Sequence, residues 1–277
     1  MTHTRRQFLR TVPTLGVFAV YKVSDTSGVR HQTPTADWPA PPAAGSPADD
    51  FFPSLNPALI KEVVGLSHTN LARVRELVQQ HPALARASWD WGYGDHETAL
   101  GAASHVGQRA IAELLLEHGA PPTLFSATML GQLDVVKAFM TATPGLQKMR
   151  GPHSLSLMVH ARAGGPPAAA VVAYLESIGD ANLPLTDEPI GDEDRAMLDG
   201  RYVFGDRPRD SFTIATKPNQ VSLARAGATA RNIRHLGRLE FAPPGAPAVR
   251  IRFEREGAKI VAFTIADPDD VVRARKA

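Results

Sequence analysis

The chain has 277 residues, 43% of them hydrophobic, enough for one large or two modest globular cores and too apolar for a disordered polypeptide. It contains no cysteine, which excludes disulfides, thiolate-held zinc and thiol catalysis. Its pI is near 9.0, but residues 1–44 carry five basic and two acidic side chains, so the remainder holds 25 basic against 26 acidic and has no general attraction to nucleic acid.

The chain opens with THTRRQFLR followed by TVPTLGVFAVY, placing Arg5, Arg6, Phe8 and Leu9 directly before a weakly apolar run over 11–21. That run is shorter than the roughly 20 apolar residues of a bilayer span, so no stable membrane span is expected. The segment resembles a twin-arginine signal peptide, Ser/Thr-Arg-Arg-x-Phe-Leu-Lys, with Arg10 where the pattern has lysine. The resemblance implies a signal over 1–23, passage through a bacterial twin-arginine translocase after folding, and a periplasmic or otherwise exported protein. No clean Ala-x-Ala site follows at once, so a tether through an uncleaved signal stays open. Residues 24–56, rich in Pro and Ala, read as a flexible linker.

Internal repeats organise residues 57–183. ETALGAASHVGQRAIAELLLEHGA, 97–120, has Thr98 at a helix N-cap, Gly107 at a turn, Ile111, Leu114 and Leu115 at helical spacing, and Gly119 where a helix ends with positive φ. It resembles an ankyrin repeat in which Ala99 and Gly101 replace the family's proline and histidine. Weaker copies place Val74, Leu77 and Val78, then Val135, Ala138 and Phe139, then Val171, Tyr174 and Leu175 at the same points. Steps between equivalent positions are irregular around the family period of about 33 residues, giving about four units. The resemblance implies an α-helical ankyrin-repeat solenoid that holds a protein partner on its concave, finger-bearing side.

The long first step contains ASWDWGYGDHETALGAAS, 87–104. Trp89, Trp91, Tyr93, Asp95 and His96 are the expected partner-binding residues of this finger, since aromatics dominate interface energetics. The competing reading packs the tryptophans over a neighbouring unit. A metal site from Asp95, His96, Glu97 and His105 needs convergent ligands, whereas adjacent turn residues point in different directions, so neither a metal nor another cofactor is expected. Asp95 then caps the turn, and Glu97 favours the start of the next helix. In GPHSLSLMVHARAGG, 151–165, Ser154 is the expected N-cap and His160 a buried histidine bonded to a backbone carbonyl, while His153 precedes the helix. No nucleophile elbow, zincin, P-loop or dinucleotide motif is present, so no catalytic residue is assigned.

From 184 to 277 the hydrophobic period changes to two. GRYVF, DSFTIATK, QVSLARA, RNIRHL, RLEF, AVRIRFERE, AKIVAFTIA and DVVRARK are short alternating runs between turn residues, predicting a small antiparallel barrel or meander with Val249, Ile251 and Phe253 inward. LDGRYVF and the final thirty or so residues resemble the small lipocalin-like β-domain found behind β-lactamase-type serine hydrolase domains. The whole reads as a multidomain α + β protein: a non-enzymatic interaction scaffold of the cell envelope. The alternative is a small-ligand-binding protein or enzyme accessory with a site in the β-domain or in the cleft between domains.

Overall fold

The computed structural model describes residues 50–277 apart from 184, 186 and 269; the signal residues Arg5, Arg6, Phe8 and Leu9 and the linker up to 49 lie outside the described residues. The described part combines helices with a closed β-barrel, an α + β arrangement. Among the described residues no helix is long and apolar enough to cross a membrane.

The helices come in consecutive pairs: α1 (Pro57–Leu66) with α2 (Leu71–Gln80), α3 (Ala99–His105) with α4 (Arg109–Glu117), α5 (Leu124–Met129) with α6 (Leu133–Ala142), and α7 (Leu157–Ala163) with α8 (Ala169–Ile178). The first helices of the pairs pack in succession, α1 on α3, α3 on α5 and α5 on α7. Each of these four begins with a side-chain cap, from Asn56, Thr98, Thr123 and Ser156, which satisfies an amide the helix itself cannot. Val74, Leu77, Val78, Ile111, Leu114 and Leu115 form one buried cluster, as the repeat pattern predicts.

Two local expectations are corrected. On α6 the buried residues are Val136 and Met140, while Val135 and Phe139 are 42% and 43% exposed. The sequence offers two adjacent i, i+4 stripes there, and the helix turns the second one inward. Ser154 is not the cap of α7; Ser156 accepts the Val159 N–H, and the Ser154 hydroxyl instead accepts the Gly245 N–H from the barrel at 2.8 Å.

Between α2 and α3 a short hairpin, β1 (Ser88–Asp90) and β2 (His96–Thr98), pairs Trp89 with Glu97 and Asp90 with His96. Between α6 and α7 the chain makes a second projecting turn, closed by an antiparallel bridge from Arg150 to Ser156, with His153 and Ser154 both left-handed at its tip. After Ala120 only Pro121, Pro122 and Thr123 lead into α5, so no hairpin stands between the second and third pairs.

A short helix, α9 (Asp192–Leu198), precedes eight strands: β3 (Gly200–Val203), β4 (Ser211–Lys217), β5 (Gln220–Arg225), β6 (Arg231–Gly237), β7 (Glu240–Ala242), β8 (Arg250–Glu256), β9 (Lys259–Asp267) and β10 (Asp270–Lys276). They follow the eight alternating runs and close as a barrel in which β10 pairs with both β9 and β3. Its interior is filled by aromatic rings, with Tyr202 and Phe263 centroids 4.8 Å apart and Phe253 and Phe263 5.3 Å apart. The Tyr202 hydroxyl is satisfied by donating to the Leu198 carbonyl at 2.7 Å, which fixes α9 at one end. Val249, Ile251 and Phe253 face inward, and Arg250 and Arg252 outside them pair with Glu240.

Candidate metal centre

Side chains alternate along an extended strand, so Asp95 and Glu97 share one side of the hairpin and His96 takes the other. Asp95 and Glu97 are buried, whereas His96 is exposed. The Glu97 carboxylate is fully buried, and Trp91 Nε1 donates to its Oε2 at 2.8 Å. Three imidazoles surround it: His68 from the loop after α1, His105 from the last turn of α3, and His153 from the tip of the 150–156 turn.

Their nitrogens converge. His105 Nε2 and His153 Nε2 lie 2.9 and 3.4 Å from Glu97 Oε1, His68 Nε2 lies 3.6 Å from Oε2, and the two Nε2 atoms of His68 and His105 are 3.0 Å apart. One donor atom from each of the four residues fits within a 4.8 Å span. A tetrahedral ion with bonds of about 2.1 Å separates its ligand atoms by about 3.4 Å, so these spacings fit a small divalent cation.

The hydrogen bonds behind the imidazoles set their tautomers. His68 Nδ1 faces the Gly65 carbonyl at 2.9 Å and His153 Nδ1 faces Asp95 Oδ2 at 2.8 Å. Both partners only accept, so each Nδ1 carries a proton, and it is in the neutral form of the ring that the Nε2 lone pair faces the centre. A carboxylate behind a ligating histidine is the usual outer support of a metal site. Among the described residues no donor is aligned to the buried Glu97 Oε1 for a hydrogen bond, despite the nearby nitrogens. The donor atoms of the four residues share a focus, with His68 and His105 also in hydrogen-bond contact at 3.0 Å, a geometry that an ion between them could occupy.

Electrostatics follow from the same contacts. Burial works to raise the Glu97 carboxyl, but His105 and His153 outweigh it and hold it down at about 2. Burial likewise works to lower His153, and the Asp95 and Glu97 carboxylates overcome it, pushing the imidazole up to about 9. Burial lowers His160 to about 4. His160 lies against Phe125, with centroids 4.7 Å apart, and its Nδ1 faces the Ser156 carbonyl as expected, while its buried Nε2 has no hydrogen-bond partner among the described residues.

The five finger residues expected to hold a partner are spent largely on the chain itself. Trp89 and Trp91 are half-buried against the helical core, and Lys61 Nζ sits 5.8 Å from the Trp89 ring centre. Tyr93, with φ of 59°, packs on the barrel core, and burial pushes its hydroxyl up to about 12. Asp95 accepts from the His153 amide at 2.9 Å and pairs with Arg231 of β6, which also donates to the Gly92 carbonyl at 3.0 Å. Of the five, only His96 is exposed. Of the four residues weighed for a metal site, Glu97 and His105 converge, Asp95 lies behind His153 and His96 is exposed; His68 and His153 complete the cluster.

The centre borders a cleft of about 720 Å³ between the helices and the barrel, lined by His68, His153, Trp89, Trp91, Lys61, Arg209 and Arg231 among others. His68 and His153 are 25% and 27% exposed there, so the site is open on one side. Compared with known proteins, the chain matches no family model, no curated protein and no solved structure.

Proposed function

We propose that the protein binds a divalent transition metal through His68, Glu97, His105 and His153, and that this centre serves a ligand-binding cleft between its helices and its barrel. The observation that carries the reading is the buried Glu97 Oε1, which among the described residues has no aligned hydrogen-bond donor while imidazole nitrogens stand 2.9 and 3.4 Å away. Three imidazoles and one carboxylate suit Zn²⁺ and its neighbours better than Ca²⁺ or Mg²⁺, which favour all-oxygen shells. We read the helix pairs as ankyrin-type units whose first and third fingers have turned inward to build the centre, and the barrel as a lipocalin-like β-domain. The segment ahead of the described residues is read as a twin-arginine signal, making this an exported, periplasmic protein. Such a route carries folded chains, and a centre drawn from four separate segments exists only in a folded chain.

The test is metal analysis of the purified protein after equilibration with Zn²⁺. One ion per chain is expected. At a hundredfold excess over Kd the ion adds about 2.7 kcal/mol to folding stability, and chelator reverses the gain. Glu97→Gln removes both binding and stabilisation; a wild-type chain that takes up no metal sinks the reading.

An interaction scaffold is the second reading, and the exposed Val135 and Phe139 on α6 favour it over the inward-turned finger. Paired Val135→Asp and Phe139→Asp substitutions abolish capture of a periplasmic partner if that face is used; unchanged capture removes α6 from consideration.

A further inference from the structure

The cleft beside the metal centre has its own charge pattern. Lys61, Arg209 and Arg231 line it against a single acid, Asp90. The Asp90 carboxylate is engaged in its own turn, accepting the Gly92 N–H at 2.7 Å. Arg231 is engaged as well, by Asp95 and the Gly92 carbonyl. Lys61 and Arg209 are different: among the described residues neither forms an ion pair with a carboxylate. Lys61 is exposed beside Trp89, and the Arg209 guanidinium lies along Gly227, where an added Cβ would stand 3.4 Å from it. Two unneutralised cations and the open side of a metal centre therefore face the same space.

The apolar lining is equally specific. Trp89 and Trp91 line the cleft on the helical side, and Gly227 and Ala228 line it on the barrel side. A cavity of about 350 Å³ beside it shares Trp91, Gly92 and Arg231 with the cleft and continues along Phe212, Leu223 and Ile265, with Asp267, Asp270 and Arg225 also in its lining. A ligand that satisfies both linings has an anionic head and an apolar body.

Building on the metal reading above, we infer that the cleft binds an organic oxyanion, a carboxylate or phosphate ester with an aromatic or aliphatic body, whose charge is shared between the metal, Lys61 and Arg209. The body lies against Trp89 and Trp91. Aromatic faces bind flat apolar groups and also hold Lys61 in place by cation–π attraction. Low-dielectric walls strengthen the attraction between the cations and an anionic head.

The experiment uses the full chain, with and without Zn²⁺, titrated calorimetrically with benzoate, phenyl phosphate, inorganic phosphate and the neutral benzamide. Benzoate or phenyl phosphate is expected to bind the Zn²⁺-loaded chain, with benzamide weaker by roughly tenfold or more. The Lys61→Ala, Arg209→Ala double variant, with both changes on exposed side chains, loses a similar factor for the anion while its Zn²⁺ affinity stays within about twofold of wild type. If Zn²⁺ itself fails to bind, the metal reading falls. If Zn²⁺ binds but neither organic anion does, or the double variant holds them as tightly as wild type, only this inference is overturned. Inorganic phosphate binding as tightly as phenyl phosphate overturns the assignment of an apolar body.

Discussion

His68 and His105 occupy equivalent places in successive helix pairs, 37 residues apart, and their Nε2 atoms face each other at 3.0 Å. Ser67 and Ser104 before them make the same bond, each hydroxyl donating to the carbonyl four residues earlier, Val63 and Leu100. Since His68 Nδ1 holds its proton against Gly65, the opposed nitrogens need a cation or a shared proton between them. His68→Ala and His105→Ala are each expected to lower Zn²⁺ affinity by more than the roughly 10–100-fold typical of losing an outer-shell partner. Competition against a chromophoric chelator measures this, and a single variant with wild-type affinity removes that residue from the centre.

Asp95 stands one step behind His153, a proposed metal ligand. It orients His153 through both the ring and the amide, and its pairing with Arg231 ties that orientation to the barrel. Asp95→Asn keeps the shape but weakens the hold on the ring, so Zn²⁺ affinity should fall by about 10–100-fold while far-UV circular dichroism is unchanged. An affinity within twofold of wild type, within the reach of ordinary scatter in such comparisons, would show that His153 is placed by the turn alone.

Gly107 and Gly119 separate two demands made on glycine. Both have positive φ, 77° and 86°, but a Cβ at Gly107 would stand 2.1 Å from the Ala163 carbonyl oxygen, whereas nothing lies within 4 Å of one at Gly119. Gly119→Ala should cost about 1–2 kcal/mol for its left-handed backbone alone. Gly107→Ala should cost clearly more, because the α3–α4 turn and the end of α7 must move apart. Urea denaturation of the two variants compares them directly, and equal costs would mean the chain yields at Ala163 without penalty.

Asp210 supplies a pH dependence away from the cluster of His68, Glu97, His105 and His153. Its hydrogen bond from Arg207 holds the carboxyl below the ordinary value of 3.8, with burial opposing and the Arg207 amide assisting. A carboxyl depressed in the folded state stabilises above its unfolded value and loses that contribution as pH falls through the folded one. Between pH 5 and pH 3 the wild type should therefore lose more stability than Asp210→Asn, read from urea midpoints at about those two values. Parallel losses would assign the acid sensitivity to other carboxylates.

The barrel was legible because its strands obey a period of two with turn residues between them, and each of the eight runs became one strand. The helix pairs were legible from caps and apolar spacing, except on α6, where Val135 and Val136 begin two equally good stripes. The centre was half legible. Glu97 and His105 stand in one short motif, and the Ser-His dipeptide recurring at 37 residues was a signal for His68, visible once the repeat step is applied to polar positions as well as apolar ones. His153 gave no such signal. Its place depends on a left-handed turn and on contact with Asp95, 58 residues earlier, and no local pattern encodes that meeting.

The closure of the barrel by β10 has a consequence for solubility. β10 bonds to β9 along one side and to β3 along the other, so one seven-residue strand covers two edges. Any event that frees it, such as truncation, a nick near 268 or a proline placed within it, uncovers two rows of unpaired amides and carbonyls at once. Exposed edges of that kind recruit strands from other molecules. Loss of this strand should therefore show first as self-association of the chain, ahead of any change in its helical half.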